Sequence, residues 1–389
     1  MFWNLPSSLL LIGTAITAAA AAAAIDPSAE SLYSRCSDVS FKVSTTSQNV
    51  KFAFPPDPNN ETQILEFNRR SLTLTGNPQN GTQLISGTFN IDGVYCRPPP
   101  TGVRARDDDV LEILVHGITY NKSLWSGLGL GARYDWHAGA NARGYHTLAI
   151  DRLTHGTNPQ HPEPLDVVQG QLHVEIVHEI IMAIRNNTRN NALDRGFSKI
   201  VYVGHSFGSQ IGQTLGHLHP NDADVSVLTG YSAFPIITTF DNISFESAAT
   251  FRPRHFHGQP LGNIVTPIEA QRTGAFYAGA FDPAVAHADF LAEDTVTIGE
   301  IAALITMISS GGGGYRKPVL VVTGVEDAIF CTPPAAVCAS ILAATKAIFP
   351  LASIYEFIMP ESTGHTLSLH YSAPETLKGV HDFLDRVLR

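Results

Sequence analysis

From residue 110 onward the chain gathers short, nearly continuous apolar runs: VLEILVHG, YHTLAIDR, KIVYVGHS, DVSVLTG, KPVLVVTG and SIYEFIMP. Runs of this kind, rich in β-branched residues and closed by glycine or a polar turn, read as strands buried on both faces. That is the condition of a parallel sheet covered by helices. Helical patterns lie between them. PLDVVQGQLHVEIVHEIIMAIRNN places Val168, Leu172, Ile176, Ile180 and Ile184 at near-helical spacing, with Pro164 near its start. SQIGQTLGHL, EIAALITMISSGGGG (ending in glycines) and APETLKGVHDFLDRVLR read the same way. Strands alternating with helices predict an α/β fold with a mostly parallel, doubly wound sheet.

Two regions break the rhythm. In residues 37–100, VKFAF, TQILEF and GTQLISGTFNIDGVYC alternate apolar and polar positions between Pro, Asn and Gly turns, as half-buried antiparallel strands do. Residues 233–297 hold many aromatics, prolines and glycines but no clear strand, which predicts a lid with its own fold or function. The expected organisation is a leader at 1–24, a β-rich N-terminal extension at 25–84, an α/β core at 85–232 and 298–389, and a lid insertion at 233–297.

Composition narrows the setting. The 389 residues are 44% hydrophobic and carry 35 acidic against 25 basic side chains, a net charge of −10. No basic stripe exists for phosphate contacts, so nucleic acid is not an expected partner. The N-terminus is uncharged until Asp26, and its apolar run from Leu9 to Ala24 ends in small residues, the pattern of a cleaved signal peptide. Export to the secretory lumen or beyond, with no membrane span after processing, is the expectation. Sequons at Asn60, Asn80, Asn121, Asn186 and Asn242 fit it as glycosylation candidates. So do four cysteines in two groups, most plausibly paired as Cys36 with Cys96 and Cys331 with Cys338. Oligomeric state is not readable.

The chemistry centres on Gly204-His205-Ser206-Phe207-Gly208, a G-x-S-x-G pattern between a strand and a helix. A turn too tight for Cβ atoms needs the glycines. It raises the Ser206 hydroxyl above the sheet while the helix N-terminus aims amides at developing negative charge. Such a nucleophile needs a base and a group to orient it, in the order Ser, acid, His. Asp327 follows the VLVVTG strand, with Glu326 as its rival. His365 follows SIYEFIMP, with His370 as its rival among 16 histidines. Both sit in loops at carboxyl ends of strands, where open α/β sheets place their sites. The amides of Ile118 and Phe207 are candidates for an oxyanion hole. His116, Gly117, Phe234, Phe276 and Tyr277 are candidates for contact with substrate. His205 reads as packing, and the pairs His217/His219 and His255/His257 read as surface or lid residues rather than metal ligands.

LVHG, GHSFGS, VTGVED and TGHTLSLH resemble the oxyanion, nucleophile, acid and histidine loops of the α/β-hydrolase superfamily over residues 85–389. AIDRLTHGTN resembles its D-R-x-x-G loop at Asp151, Arg152 and Gly156. The resemblance implies the α/β-hydrolase fold, nucleophile Ser206, acid Asp327 and base His365, with no metal and no organic cofactor. It is nearest to exported fungal esterase- or lipase-like members. The activity expected is hydrolysis of a carboxylic ester or lactone of an apolar small molecule or lipid. Acyl transfer, lactonisation, cyclisation or carbon–carbon cleavage at the same site is the alternative, and ligand binding by an idle triad a further one. Relatives with an aspartate nucleophile, the dehalogenases and epoxide hydrolases, differ in mechanism because Ser206 holds that position.

Overall fold

The computed structural model describes residues 35–73, 75–99, 110–308, 313–331 and 333–388; the expected leader at 1–24 lies outside them. The strands, in chain order, are β1 (Cys36–Phe52), β2 (Gln79–Cys96), β3 (Val110–Val115), β4 (His146–Ile150), β5 (Lys199–His205), β6 (Val225–Thr229), β7 (Glu246–Ser247), β8 (Asn263–Val265), β9 (Val296–Thr297), β10 (Val319–Val322) and β11 (Tyr355–Ile358). Eight of them form one sheet in the order β1-β2-β4-β3-β5-β6-β10-β11, and β7-β8-β9 form a small antiparallel sheet. From β4 to β11 every pairing in the large sheet is parallel. All six apolar runs became strands of it.

The main helices are α1 (Glu61–Ser71), α2 (Trp136–Ala142), α3 (Gly170–Arg185), α4 (Phe207–Leu218), α5 (Glu269–Phe276), α6 (Pro283–Leu291), α7 (Ile298–Ala302), α8 (Ala335–Thr345) and α9 (Ala373–Val387). Strand alternation sends Ile113, Ile200, Tyr202 and Val321 into a core shared with Leu172, Ile176 and Ile211 of α3 and α4. It sends Leu114, Val201, Val203 and Val322 to the other face, against Trp136 of α2 and Phe383 of α9. Each such side chain, fully withdrawn from water, contributes about 1.5–3 kcal/mol. Among the described residues, one buried strand residue on that second face is charged: Glu112 accepts hydrogen bonds from Trp136 Nε1 at 2.7 Å and His381 Nε2 at 2.8 Å, so α2 and α9 meet on one buried carboxylate.

Three expectations need correction. TQILEF is not a strand but part of α1: the Asn60 side chain caps it by accepting from the Gln63 amide, and Ile64, Phe67 and Ser71 fall on one buried face. Over six residues the alternating pattern could not be told from a helical one. The helix beginning near Pro164 starts instead at Gly170. Glu163 accepts from the amides of Leu165, Asp166 and Val167, and the Gln169 side chain is spent on Val50 of β1 and the Leu165 carbonyl. Finally, a boundary at residue 85 falls inside β2. That strand pairs along its length with β1 and at Gly93–Cys96 with β4, so the N-terminal strands extend the sheet rather than precede it.

Cys36 and Cys96 oppose each other in the β1–β2 register and are bonded, as are Cys331 and Cys338. The chain between β6 and α7 contains the small sheet, α5 and α6. Its strands of two or three residues are too short to leave an alternating signature.

His137 of α2 is buried with Nδ1 against Thr147 Oγ1 of β4 at 2.7 Å, and burial lowers its pKa to about 4. An unfolded histidine titrates near 6.5. Between these values the unfolded chain holds a proton that the folded one does not, so stability declines as pH falls from about 6.5 to about 4, by up to about 3 kcal/mol from this group. Urea unfolding at pH 7 and pH 4.5 should show that decline, and His137→Gln should make it shallower. An unchanged slope would mean His137 is charged in the folded protein.

Candidate active site

Ser206 is the single residue between the end of β5 and the start of α4. Its backbone lies at φ 55°, ψ −115°, a region that costs a side-chain-bearing residue of the order of 1–3 kcal/mol. The corner is over-determined. Ser206 N donates to Thr229 O of β6 at 2.9 Å, Ser209 N donates to Ser206 O at 2.8 Å, and the Tyr202 hydroxyl holds Gly208 O at 2.5 Å. At Gly208 a Cβ would run into the Val115 carbonyl, so only glycine lets α4 come this close to the end of β3.

His365 lies in the loop after β11 and Asp327 in the loop after β10. His365 Nδ1 donates to Asp327 Oδ2 at 2.9 Å, while Asp327 Oδ1 accepts from the amides of Ile329 and Phe330 at 2.9 and 3.0 Å. With Nδ1 engaged, Nε2 is the nitrogen left for proton transfer. Phe330 stacks on the His365 ring at 5.7 Å, and the His205 ring lies 5.0 Å from it on the side of the serine corner. His205 bonds Thr229 Oγ1, and burial, then the neighbouring His365, keep its pKa well below the usual value. The rivals take other parts. His370 Nε2 accepts from the amides of Gly364 and Ala278 while its Nδ1 donates to Thr366 O, a neutral brace for the His365 loop whose pKa burial lowers. Glu326 is tied through its backbone to Thr363 and makes no hydrogen bond to His365 among the described residues.

The loop after β3 completes the constellation. Gly117 lies so close to the serine corner that a Cβ there would stand 2.9 Å from Ser206 Cβ. Among the described residues neither the Ile118 nor the Phe207 amide donates to a backbone carbonyl. Two buried guanidinium groups fix this loop. Arg152 donates from Nε to His116 O at 3.1 Å and from Nη2 to Gly117 O at 3.0 Å, and pairs with Glu300 of α7. On the far side Thr119, itself at φ 56°, exchanges backbone bonds with Asp294 and Thr295 and accepts from Arg272 at 2.7 Å. Arg272 in turn grips Asp289 bidentately and reaches Glu293. Burial alone would raise the Glu300 pKa; Arg152 and the donors His155 and His173 hold it well below the ordinary value. Those two histidines and Glu300 have metal-ligand spacing, but the Arg152 cation already occupies the carboxylate.

An apolar crevice opens beside Ser206, walled by Ile118, Phe207, Phe240, Ile301 and Phe330 and by Leu72 at the end of α1. Of the residues expected to touch substrate, Phe276 packs 5.5 Å from the His365 ring and Gly117 abuts Ser206. The others lie elsewhere. His116 is fully buried: Nε2 accepts from Arg152 N and Nδ1 donates to Gly117 O, and burial, then Arg152, hold its pKa well down. Phe234 is 51% exposed on the outer surface, and Tyr277 stacks on His370. Sequence reasoning did not find Leu72, Ile301 or Arg272, and marked Arg152 only as part of the D-R-x-x-G resemblance, because nothing local links residues that meet only through the fold.

Solved structures share this architecture. A thermophilic esterase from Thermogutta terrifontis superposes with a TM-score of 0.50 at 14% identity, covering 77% of this chain and 94% of that one. A lipase in an open form superposes with a TM-score of 0.50 at 15% identity, covering 77% and 95%. No curated protein matches in sequence. The family model for the alpha/beta hydrolase family matches residues 113–378, from within β3 to within α9. With that span covering most of the chain, the protein belongs to the alpha/beta hydrolase family.

Proposed function

We propose that the protein is a serine hydrolase that cleaves a carboxylic ester or lactone of an apolar small molecule through an acyl-enzyme on Ser206. The observation that carries this reading is Ser206 held at a strained corner at the edge of an apolar crevice, next to His205, whose ring lies 5.0 Å from that of the Asp327-bonded His365. His365 Nε2 takes the hydroxyl proton as Oγ attacks the carbonyl carbon, and Asp327 stabilises the imidazolium. The amides of Ile118 and Phe207 receive the oxyanion, and His365 returns the proton to the leaving alcohol. Water, activated by the same imidazole, then releases the acid. Esterase and lipase chemistry in the structural neighbours supports the same assignment.

The insertion at 233–297 acts in this reading as a fixed cap. Thr366 N donates to Phe276 O, Ala280 N to Ser362 O and Tyr371 N to Ala280 O, which sews the cap to the His365 loop. Arg152 is a positioning residue: by drawing the carbonyls of His116 and Gly117 to one side it turns the next amide toward Ser206. Export fits the two disulfides, with glycans on the exposed Asn80, Asn186 and Asn242. Asn60 is used as a helix cap, and the Asn121 amide donates to Asp294.

A fluorophosphonate probe should label the intact protein on Ser206 and leave Ser206→Ala unlabelled; an unlabelled intact protein would defeat the reading. On p-nitrophenyl esters, Asp327→Asn should lower kcat by about 10⁴-fold, the size of effect seen when a triad histidine loses its orienting carboxylate. Arg152→Lys, too short to hold both carbonyls and Glu300, should lower kcat about 100-fold with KM within a few-fold. If the urea midpoint falls while kcat per folded molecule stays level, Arg152 is a structural prop alone.

A further inference from the structure

Among the described residues, three polar side chains line the crevice: Ser206, Ser71 and Gln210. Ser71 is spent, its hydroxyl donating to Phe67 O at 3.0 Å and accepting from Asn77 Nδ2 at 2.6 Å. Gln210 is different. It is 3% exposed, and its Oε1 is buried with no hydrogen-bond partner among the described residues. Its amide N donates to Ser206 O at 3.2 Å, which places it one helical turn into α4, about 6 Å along the axis. Side chains on a helix lean back toward its N-terminus, here toward the nucleophile. Buried carbonyls almost always have a donor, so an unpartnered one on the wall of a crevice is an acceptor that a ligand group can satisfy.

We propose that Gln210 Oε1 accepts a hydrogen bond from a neutral donor, a hydroxyl or amide N–H, carried within a few atoms of the reacting carbonyl on an otherwise apolar substrate chain. The neighbouring walls are hydrocarbon: Leu72, Phe240, Ile301 and Phe330 offer nothing to solvate an ammonium group, so the donor is uncharged. The proposal refines the ester-hydrolase reading and rests on Ser206 as its reacting centre. It narrows the substrate from an apolar ester to one whose chain bears a donor, of which a hydroxyacyl ester is the simplest type.

Binding separates this proposal from the activity. Calorimetry on the Ser206→Ala protein would compare methyl 3-hydroxydecanoate, methyl decanoate and methyl 3-oxodecanoate. The hydroxy ester should bind about ten-fold tighter than either of the others, and adding Gln210→Met should bring the ratio close to one. Equal affinity for all three esters would overturn the proposal, as would a preference for the oxo ester, a ratio indifferent to Gln210→Met, or no binding at all. The comparison within Ser206→Ala needs no change at Gln210, so it stands even if the double variant does not fold. A protein that binds the hydroxy ester selectively yet resists the phosphonate probe would lose the hydrolase reading and keep the Gln210 subsite.

Discussion

The loop from His116 to Tyr120 is held between two buried guanidinium groups, and the geometry of the whole site depends on that grip. Arg152 takes the carbonyls before Ile118 and Arg272 takes the side chain after it. Each cation is balanced by carboxylates from distant parts of the chain: Glu300 for Arg152, Asp289 and Glu293 for Arg272. Buried ion pairs add little net stability, because desolvation offsets most of the attraction. What they add here is direction. With its carbonyls pulled one way and Thr119 fixed at a positive φ, the loop has few other ways to lie.

Much of this was legible in the sequence where a local rule governs. Strands buried on both faces cannot hide their apolar runs, so β3 to β6 and β10 stood out; β11 showed an apolar run as well although it is a partly exposed edge strand. The G-x-S-x-G corner is likewise local: its glycines answer clashes within a few residues and with one neighbouring strand. Asp327 and His365 could be picked because each lies in the loop after a strand, and the structure brings those two side chains together at 2.9 Å.

Other features depend on the fold alone. Arg152 and Glu300 are 148 residues apart, and nothing near Arg152 marks its partner. His116 reads as a site residue from its place beside a strand end, yet the Arg152 amide claims its ring from below. The helix α1 was mistaken for a strand because six residues do not separate a period of 2 from one of 3.6. That helix matters to the site: Glu61 near its start accepts from Ser247 and Thr250 of the cap, and Leu72 past its end reaches the crevice. The N-terminal segment is therefore an edge of the sheet and a wall of the crevice at once.

The stitching between the cap and the body has a consequence for motion. β8 and β9, the Asp294–Thr295 corner and the Thr119 backbone share hydrogen bonds with one another, and the His365 loop is bound to the Phe276–Ala280 stretch. Segments joined in this way open together or not at all. Backbone amides on both sides of the seam belong to one cooperative unit and should lose their protection from deuterium exchange in step, so that warming dismantles the cap and the Thr119 and His365 loops as a single event.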